Sequence, residues 1–397
     1  MRANTPAIMR RLPVLGLSML TLLLLGGCQT VGGWFSRSDP ALEPAGLVDF
    51  EPTARVERVW SANTGRGSNR SRPNFRPFVI DGEVWVGDHR GRITVIDMES
   101  GRRLQGFDTG LELSAGPAVY GDRVLLGTFD GLLVVLDRSS GNVQWQAQLS
   151  SEVLAYPVIH DGVVLARCID GRLFGLDQAD GRRLWIHDRS VPLLTLRGNS
   201  DPLVRAGLVY IGHEDGAVTA LRVSDGTVLW EQRVSEPEGR TELDRLADID
   251  GPMQIVGGEL YATSYHGRLA GMAIDSGSLL WVADLASATG VSVERTRLAA
   301  ADKDDAVWLV DRRNGTTIWR DDQLARRQIT RPVFFGDWLV TADAEGYLHF
   351  YDDQGAFAVR TRAFRGEPSD APVVVGNRLL LLDKDGTLTA WRAERRG

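Results

Sequence analysis

The sequence has few of the residues that catalysis, metal binding or disulfide formation require. Its 397 residues include only two cysteines, Cys28 and Cys168, too few for a disulfide framework or a thiolate metal site. The six histidines share no metal-binding spacing, and no G-x-S-x-G, P-loop or H-E-x-x-H motif is present. We therefore predict that the protein is not an enzyme and has no catalytic residue, metal or cofactor.

Positive charge is also scarce. The formal net charge is −7, and removal of residues 1–27 takes away three arginines and no acid, which leaves −10. An acidic body repels the phosphate backbone of nucleic acids, and no basic stripe along the chain offsets it. Nucleic acid is therefore not an expected partner.

Long apolar runs are confined to the N-terminus. Arginines in residues 2–12 precede an apolar stretch that ends at Gly27, which is typical of a secretory signal and is too short for a convincing membrane span of about 20 residues. L-L-G-G-C (24–28) is similar to the bacterial lipobox, so Cys28 is the predicted lipidation site; the alternative is a chance cysteine. Gln29 is not an inner-membrane retention signal. We expect a lipid-anchored protein of the outer membrane that faces the periplasm.

The rest of the chain is a repeat of about 40 residues. Each unit holds four short segments of β-branched residues or leucine, bounded by turn residues, which is typical of antiparallel strands. Eight units align on the turn residue that precedes their third strand. These residues are Gly91, Gly131, Gly171, Gly216, Gly267, Asp305, Gly346 and Gly386. The pattern predicts an all-β fold, an eight-bladed β-propeller with four antiparallel strands per blade.

A tryptophan recurs four residues after a turn glycine in five units. These tryptophans are Trp145, Trp185, Trp230, Trp281 and Trp319. A large flat ring can cover the adjacent sheet, so their predicted role is structural, the docking of one blade on the next. Ligand stacking is the alternative role.

The last unit lacks a fourth strand, because only T-L-T-A-W-R (387–392) and a short tail follow its turn glycine. At the other end, R-V-E-R-V-W (55–60) is a strand without a unit of its own. We predict that it completes the last blade and closes the ring. The predicted domains are a signal peptide (1–27), a lipidated N-terminus with a flexible tether (28–52) and one propeller (53–397).

Two consecutive junctions between units are long. The distance from the tryptophan to the next leading proline is 12 positions after the second unit, but 17 (185–202) and 22 (230–252) after the next two. In a four-stranded meander these junctions all emerge on one face of the ring. The two long loops should therefore lie side by side.

The long loops combine apolar and charged residues, as protein-binding surfaces do. The first reads V-P-L-L-T-L-R-G-N-S-D (191–201) and the second T-E-L-D-R-L-A-D-I-D (241–250). The alternative is that long loops merely vary among propellers, and that Arg197 pairs internally with Asp248 or Asp250.

The D-x-x-x-G-x-x-x-W unit resembles the repeat of propellers related to pyrroloquinoline-quinone dehydrogenases. That resemblance implies an alternative function as a periplasmic quinoprotein dehydrogenase-like or ligand-binding propeller. Those enzymes commonly have a disulfide between adjacent cysteines, and this sequence has no such pair.

Together with the lipobox, four segments resemble the BamB family of lipoproteins in the outer-membrane β-barrel assembly machinery. They are L-T-L-R-G (194–198), T-E-L-D-R-L-A-D-I-D (241–250), D-A-E-G-Y-L-H-F (343–350) and K-D-G-T-L-T-A-W (384–391). The resemblance implies a noncatalytic scaffold that binds the periplasmic polypeptide-transport-associated domains of BamA and assists folding and insertion of outer-membrane β-barrels. Other lipoproteins of the machinery would be indirect partners.

The resemblance also implies the partner-binding residues, which are Leu194, Leu196, Arg197, Asp248 and Asp250. A further hypothesis is that exposed blade edges hold strands of unfolded outer-membrane proteins by β-augmentation. The sixth unit (291–301) lacks its leading proline, and the sequence suggests no separate role for it.

Overall fold

The structure is a computed structural model, and it describes residues 43–68, 75–192, 194–196, 200–236, 240–241, 243 and 245–396. The chain forms two units, of which the first, Met1–Pro44, is described only at Glu43 and Pro44. The predicted signal peptide and Cys28 lie outside the described residues. The second unit, Ala45–Gly397, contains all the strands.

The second unit consists of eight four-stranded antiparallel sheets, which confirms the predicted eight-bladed propeller. From inner to outer strand, blade 1 contains β2 (Phe78–Ile80), β3 (Glu83–Gly87), β4 (Arg92–Asp97) and β5 (Arg103–Asp108), and blade 2 contains β6 (Leu113–Tyr120), β7 (Arg123–Thr128), β8 (Leu132–Asp137) and β9 (Val143–Gln148). Blade 3 contains β10 (Val158–His160), β11 (Val163–Arg167), β12 (Leu173–Asp177) and β13 (Arg183–His187), and blade 4 contains β14 (Leu203–Arg205), β15 (Leu208–Gly212), β16 (Ala217–Arg222) and β17 (Val228–Arg233).

Blades 5 to 8 follow the same order. Blade 5 contains β18 (Gln254–Val256), β19 (Glu259–Thr263), β20 (Leu269–Ala273) and β21 (Leu279–Ala283), and blade 6 contains β22 (Val291–Glu294), β23 (Arg297–Ala301), β24 (Val307–Asp311) and β25 (Thr317–Asp321). Blade 7 contains β26 (Val333–Phe335), β27 (Trp338–Ala342), β28 (Tyr347–Tyr351) and β29 (Phe357–Arg362), and blade 8 contains β30 (Val373–Val375), β31 (Arg378–Leu382), β32 (Thr387–Arg395) and β1 (Ala54–Asn63). In the described part of the chain, no helix is long and apolar enough to cross a membrane.

The N-terminal strand closes the ring. β1 pairs antiparallel with β32, from Ala54 opposite Arg395 to Asn63 opposite Thr387. The predicted closing strand at 55–60 is confirmed, and in the structure it extends to ten residues. Because the outer strand of blade 8 comes from the start of the repeat region, the two ends of that region share one sheet.

The inner strand of each blade lines a central channel, and the sheets pack against their neighbours around it. One core cluster contains Ile93 of blade 1, Val124 and Leu126 of blade 2, and Leu388 of blade 8. The core is thus shared between blades, because a single sheet cannot bury both of its faces. We call the face that carries the blade-to-blade junctions the upper face.

Six tryptophans, the five of the repeat and Trp60 of β1, contact the next blade. Each indole N–H donates to a main-chain carbonyl of that blade. The pairs are Trp60–Met98 (3.0 Å), Trp145–Gln178 (3.0 Å), Trp185–Val223 (2.8 Å), Trp230–Ile274 (3.0 Å), Trp281–Arg312 (2.9 Å) and Trp319–Asp353 (3.1 Å). A Cβ atom at Gly181 would lie 2.4 Å from the ring of Trp145, so this turn has room only for glycine. The contribution of these rings to stability stays a prediction.

The degenerate sixth unit forms a regular four-stranded blade. Asp305 has a φ of 65°, in the left-handed region that Gly91 occupies at the equivalent turn of blade 1. The Asp305 carboxylate accepts hydrogen bonds from the main-chain N–H groups of Gln328 (2.8 Å) and Ile329 (3.0 Å). The aspartate thus replaces the glycine and holds the junction that leads to blade 7.

Residues 45–53 lie along the outer side of β29, and we call them the strap; the sequence analysis assigned 45–52 to the flexible tether and Thr53 to the propeller. Phe50 stacks on Phe357 with ring centroids 5.3 Å apart. The strap hydrogen bonds are Arg327 Nη1 to Ala45 O (2.8 Å), Arg360 Nη1 to Val48 O (3.0 Å) and Thr53 N to Ala358 O (2.9 Å). The strap therefore covers the outer edge of blade 7.

Candidate functional site

The two long junction loops lie together on the upper face. The first junction loop (188–202) connects β13 to β14, and the second junction loop (234–253) connects β17 to β18. The main-chain N–H of Leu196 in the first donates to Asp248 Oδ1 in the second, at 2.8 Å. The structure therefore brings the two loops into contact, as the spacing of the repeat predicts.

The apolar residues of the two loops differ in exposure. In the first loop Leu194 is 41% exposed and Leu196 is half-buried. In the second loop Leu243 is 62% exposed, whereas Leu246 is buried. Leu243 was not among the predicted partner-binding residues, because the two leucines have the same chemistry and only the fold of the loop distinguishes them. Arg197 lies outside the described residues.

Asp248 supports the first loop from beneath. Its side chain is fully buried, and Oδ2 has no hydrogen-bond partner among the described residues. Its main-chain carbonyl accepts the N–H of Tyr265 at 3.0 Å, which fixes the residue against blade 5. A carboxylate in this position orients Leu196, and in this conformation it does not reach the surface.

The end of the second loop is fixed on blade 4. The N–H of Ile249 donates to the carbonyl of His213 at 3.1 Å. A Cβ atom at Gly212 would lie 2.4 Å from the side chain of Ile249, so the close packing depends on glycine. The position of Asp248 is therefore set by its main-chain neighbours.

A buried ion pair fixes the end of the first loop. Arg167 Nη2 lies 2.7 Å from Glu214 Oε1, and the two side chains are 1% and 4% exposed. Arg167 Nη1 donates to Ser200 Oγ at 3.0 Å, and the same hydroxyl accepts the N–H of Gly212 at 3.1 Å. Sequence reasoning missed this pair. The available signal was an arginine at the end of the apolar strand V-V-L-A-R.

A second polar contact reaches across the channel mouth to the same loop. Arg76, which precedes blade 1, forms an ion pair with Asp201 at the end of the first loop. The guanidinium lies over the ring of Tyr156, 4.0 Å from its centroid, and the N–H of Tyr156 donates to Asp201 Oδ1 at 2.7 Å. Blades 1, 3 and 4 therefore meet at the base of the first loop.

Burial perturbs the two predicted carboxyl groups. It raises the pKa of Asp248 to about 6, against the opposing effect of the hydrogen bond from Leu196. It raises the pKa of Asp250, half-buried at the channel mouth, to about 8, with a further contribution from the charge of Asp248. Both pKa values lie above those of an unfolded chain, so the folded state binds more protons and its stability falls as pH rises from about 4 to about 8.

We expect the Asp250→Asn variant to be more stable than wild type at pH 8.5 by about 3 kcal/mol, and to differ little from it at pH 4.5. At pH 8.5 the asparagine side chain stays neutral, whereas the carboxyl group of Asp250 ionises in a poorly hydrated environment, which destabilises the folded wild-type protein. Urea unfolding at the two pH values measures the difference. The control is Asp284→Asn, whose side chain is 98% exposed. An equal gain at both pH values would contradict this account.

The polar groups of the described residues do not form a metal site. No group of three or more histidine, cysteine, aspartate or glutamate side chains among them is arranged to hold a metal ion. His213 is buried with its Nε2 atom 2.8 Å from the Thr219 hydroxyl, and burial holds its pKa well below the usual range. Cys168 is buried, and burial raises the pKa of its thiol.

The fold and the paired loops define a class of protein. It is an eight-bladed β-propeller in which two braced loops present exposed apolar side chains beside carboxyl groups on one face. Such an arrangement is suited to binding another macromolecule.

A family model described as outer membrane protein assembly factor BamB matches residues 89–321 and 309–396. The outer membrane protein assembly factor BamB of Alkalilimnicola ehrlichii is 48% identical over 376 residues, covering 94% of this chain and 96% of the relative. That of Pseudomonas aeruginosa is 43% identical over 369 residues, covering 93% and 97%. The chain therefore belongs to the BamB family.

The crystal structure of BamB from Moraxella catarrhalis has a similar fold. It superimposes with a TM-score of 0.78 at 27% identity, covering 85% of this chain and all of that chain. The curated relatives are assembly factors, which confirms the prediction that the chain is not an enzyme and disfavours the quinoprotein alternative.

Proposed function

We propose that this protein is a scaffold of the outer-membrane β-barrel assembly machinery, and that its paired junction loops bind the periplasmic polypeptide-transport-associated domains of BamA. The observation that carries the proposal is the Leu196–Asp248 hydrogen bond, which joins the two loops and leaves Leu194 and Leu243 exposed. Exposed apolar side chains on loops that are already held in place by hydrogen bonds lose little conformational freedom when a partner binds. Other lipoproteins of the machinery contact this protein indirectly.

The predicted partner residues have different tasks in this proposal. Leu194, with Leu243, contacts BamA directly, and Leu196 and Asp248 hold the first loop in shape. Asp250 contributes a carboxyl group at the channel mouth. Arg197, which lies outside the described residues, is included in the proposed contact with BamA.

The proposal includes the location of the protein. A lipid on Cys28, left after removal of the signal peptide 1–27, anchors it in the outer membrane with the propeller in the periplasm. The support is the L-L-G-G-C segment (24–28) and the absence of an aspartate at Gln29. Family membership supports the association with the outer membrane.

Co-purification of BamA with the full-length lipoprotein from solubilised membranes tests the docking surface. We expect Leu194→Glu and Leu243→Glu each to reduce BamA recovery at least tenfold, because each places a charge in an apolar contact. Leu104→Glu is the matched control, since Leu104 is 45% exposed on blade 1, far from the loops, and should recover BamA normally.

Variants at the support residue refine the same experiment. Asp248→Asn keeps an acceptor for the Leu196 N–H and should retain BamA, whereas Asp248→Arg places a cation in a closed site and should lose it. Melting temperatures distinguish lost binding from lost folding. Normal BamA recovery by both leucine variants would refute the docking surface, and normal recovery by Arg197→Ala would remove Arg197 from it.

A second, narrower proposal concerns unfolded outer-membrane protein strands. The outer strand of blade 5, β21, exposes three apolar side chains. They are Leu279 (41%), Leu280 (52%) and Val282 (43%). An exposed apolar edge supports strand addition. The strap covers the edge of blade 7, so the proposal does not extend to that blade.

A further inference from the structure

The mouth of the central channel contains a cavity that shares only Asp250 with the proposed docking surface. The cavity has a volume of about 310 Å³ and lies on the upper face, where the junctions enter the inner strands. A second cavity of about 610 Å³ continues below it along the channel. The two share the residues Arg76, Asp201, Pro252 and Arg331, so they are adjacent.

Two guanidinium groups border this space, and their charges are compensated differently. Arg76 forms its ion pair with Asp201 and stacks on Tyr156. Arg331 Nη1 donates to Ser292 Oγ at 2.5 Å, but Arg331 forms no ion pair among the described residues. Its Nε atom is buried and has no hydrogen-bond partner there. Arg331 therefore has a donor without a partner, and its side chain borders both cavities.

The charges around Arg331 are of both signs, because the cavity is also lined by Lys384 and by the carboxyl groups of Asp201, Asp250, Glu367 and Asp370. Burial lowers the pKa of Arg331, the charge of Asp370 raises it, and the charge of Arg76 lowers it by a smaller amount. Asp370 accepts the N–H of Ala371 at 2.6 Å and forms no ion pair with Arg331 in the described structure. A half-buried guanidinium that is hydrogen-bonded to one hydroxyl gains from an anion placed at its free edge.

The walls below Arg331 combine apolar and polar side chains. The inner strands contribute the side chains of Phe78, Tyr120, Val158, Phe334 and Val373 to the channel. A free inorganic anion would leave these walls without a partner. An anionic head attached to an apolar body satisfies both the guanidinium and the walls.

We propose that the channel mouth binds a small organic carboxylate, with the carboxylate group on Arg331 and the apolar part directed into the channel. The site goes beyond BamA docking, because it uses the inner strands of blades 1, 2, 3, 7 and 8 and neither exposed leucine of the two loops. The same carboxylate chemistry is available from a free short-chain acid and from the carboxyl terminus of a peptide.

Binding of matched probes to the purified full-length protein tests the proposal. Hexanoate and hexanamide share an apolar chain and differ in charge, so saturation-transfer NMR and calorimetry should show hexanoate binding at least tenfold more tightly. Inorganic phosphate should bind more weakly than hexanoate. N-acetyl-leucine against N-acetyl-leucinamide repeats the comparison for a peptide terminus, and the tighter of the two acids identifies the source of the ligand.

The variant Arg331→Gln should reduce hexanoate affinity at least tenfold and leave BamA recovery unchanged. Arg313→Gln, at an arginine in the outer turn of blade 6 whose side chain is 73% exposed, is the control and should bind hexanoate normally. Equal binding of hexanoate and hexanamide by the wild-type protein would overturn the proposal without any variant, as would full hexanoate affinity in folded Arg331→Gln. Either result leaves the BamA proposal untouched.

Discussion

Replacing Glu214 by alanine is expected to lower the free energy of unfolding by about 3–5 kcal/mol. The Glu214 carboxylate lies 2.7 Å from the guanidinium of Arg167, and both side chains are almost completely buried. Alanine would leave a cation in the protein interior without its charged partner, and such a charge is far less stable there than in water. Urea unfolding followed by circular dichroism measures the loss.

A double variant tests this explanation. Arg167→Met combined with Glu214→Leu removes both charges at similar volume, and we expect it to lose less than about 2 kcal/mol. A loss as large as that of Glu214→Ala would mean that packing, not the unpaired charge, dominates. Because the double variant also removes the hydrogen bond to Ser200, it should fold but recover less BamA than wild type.

Trp60→Ala should also be strongly destabilising, by about 3–5 kcal/mol. The indole is 8% exposed, and its Nε1 donates to Met98 O at 3.0 Å. Gly101 of blade 1 approaches so closely that a Cβ atom there would lie 2.6 Å from the ring. Since Trp60 belongs to the strand that completes blade 8, this contact joins the last blade to the first. Urea unfolding measures the loss.

Trp60→Phe is the matched control for this contact. The smaller ring keeps most of the apolar contact and loses the hydrogen bond and part of the ring volume, so we expect a cost of about 1–2 kcal/mol. Hydrogen exchange should accelerate in β32 and in blade 1 of Trp60→Ala, and should stay slow in β16 on the far side of the ring. Equal stability of the alanine and phenylalanine variants would contradict a closing role for the indole.

The repeat made most of the fold predictable. Short strands, turn residues and the isolated strand at 55–60 predict the number of blades and the closure, because these are local features repeated at fixed spacing. The same spacing predicts that the two long loops meet. The turn at Asp305 could also be predicted although glycine is replaced there, since aspartate tolerates the left-handed conformation better than most residues.

The ion pairs that hold the two junction loops in place could not be predicted from the repeat. Arg76 and Asp201 are 125 positions apart, and Arg167 and Glu214 are 47 apart. Such pairs depend on how blades are arranged around the ring, which no local pattern encodes. The burial of Asp248 could not be predicted for the same reason. In the sequence, its carboxyl group has the same chemistry as a carboxyl group exposed at the surface. The direct role of Arg197 stays a prediction.

The strap gives the ring a mechanical property. A pull on the chain before Ala45 acts first on the hydrogen bonds that Arg327 and Arg360 donate to the strap carbonyls, and on the stacked ring of Phe50. These contacts hold the strap to blade 7, whereas the strand that closes the ring belongs to blade 8. Tension from the N-terminal side is therefore borne by blade 7 before it reaches β1, and the seam of the ring is shielded from force applied through its own N-terminus.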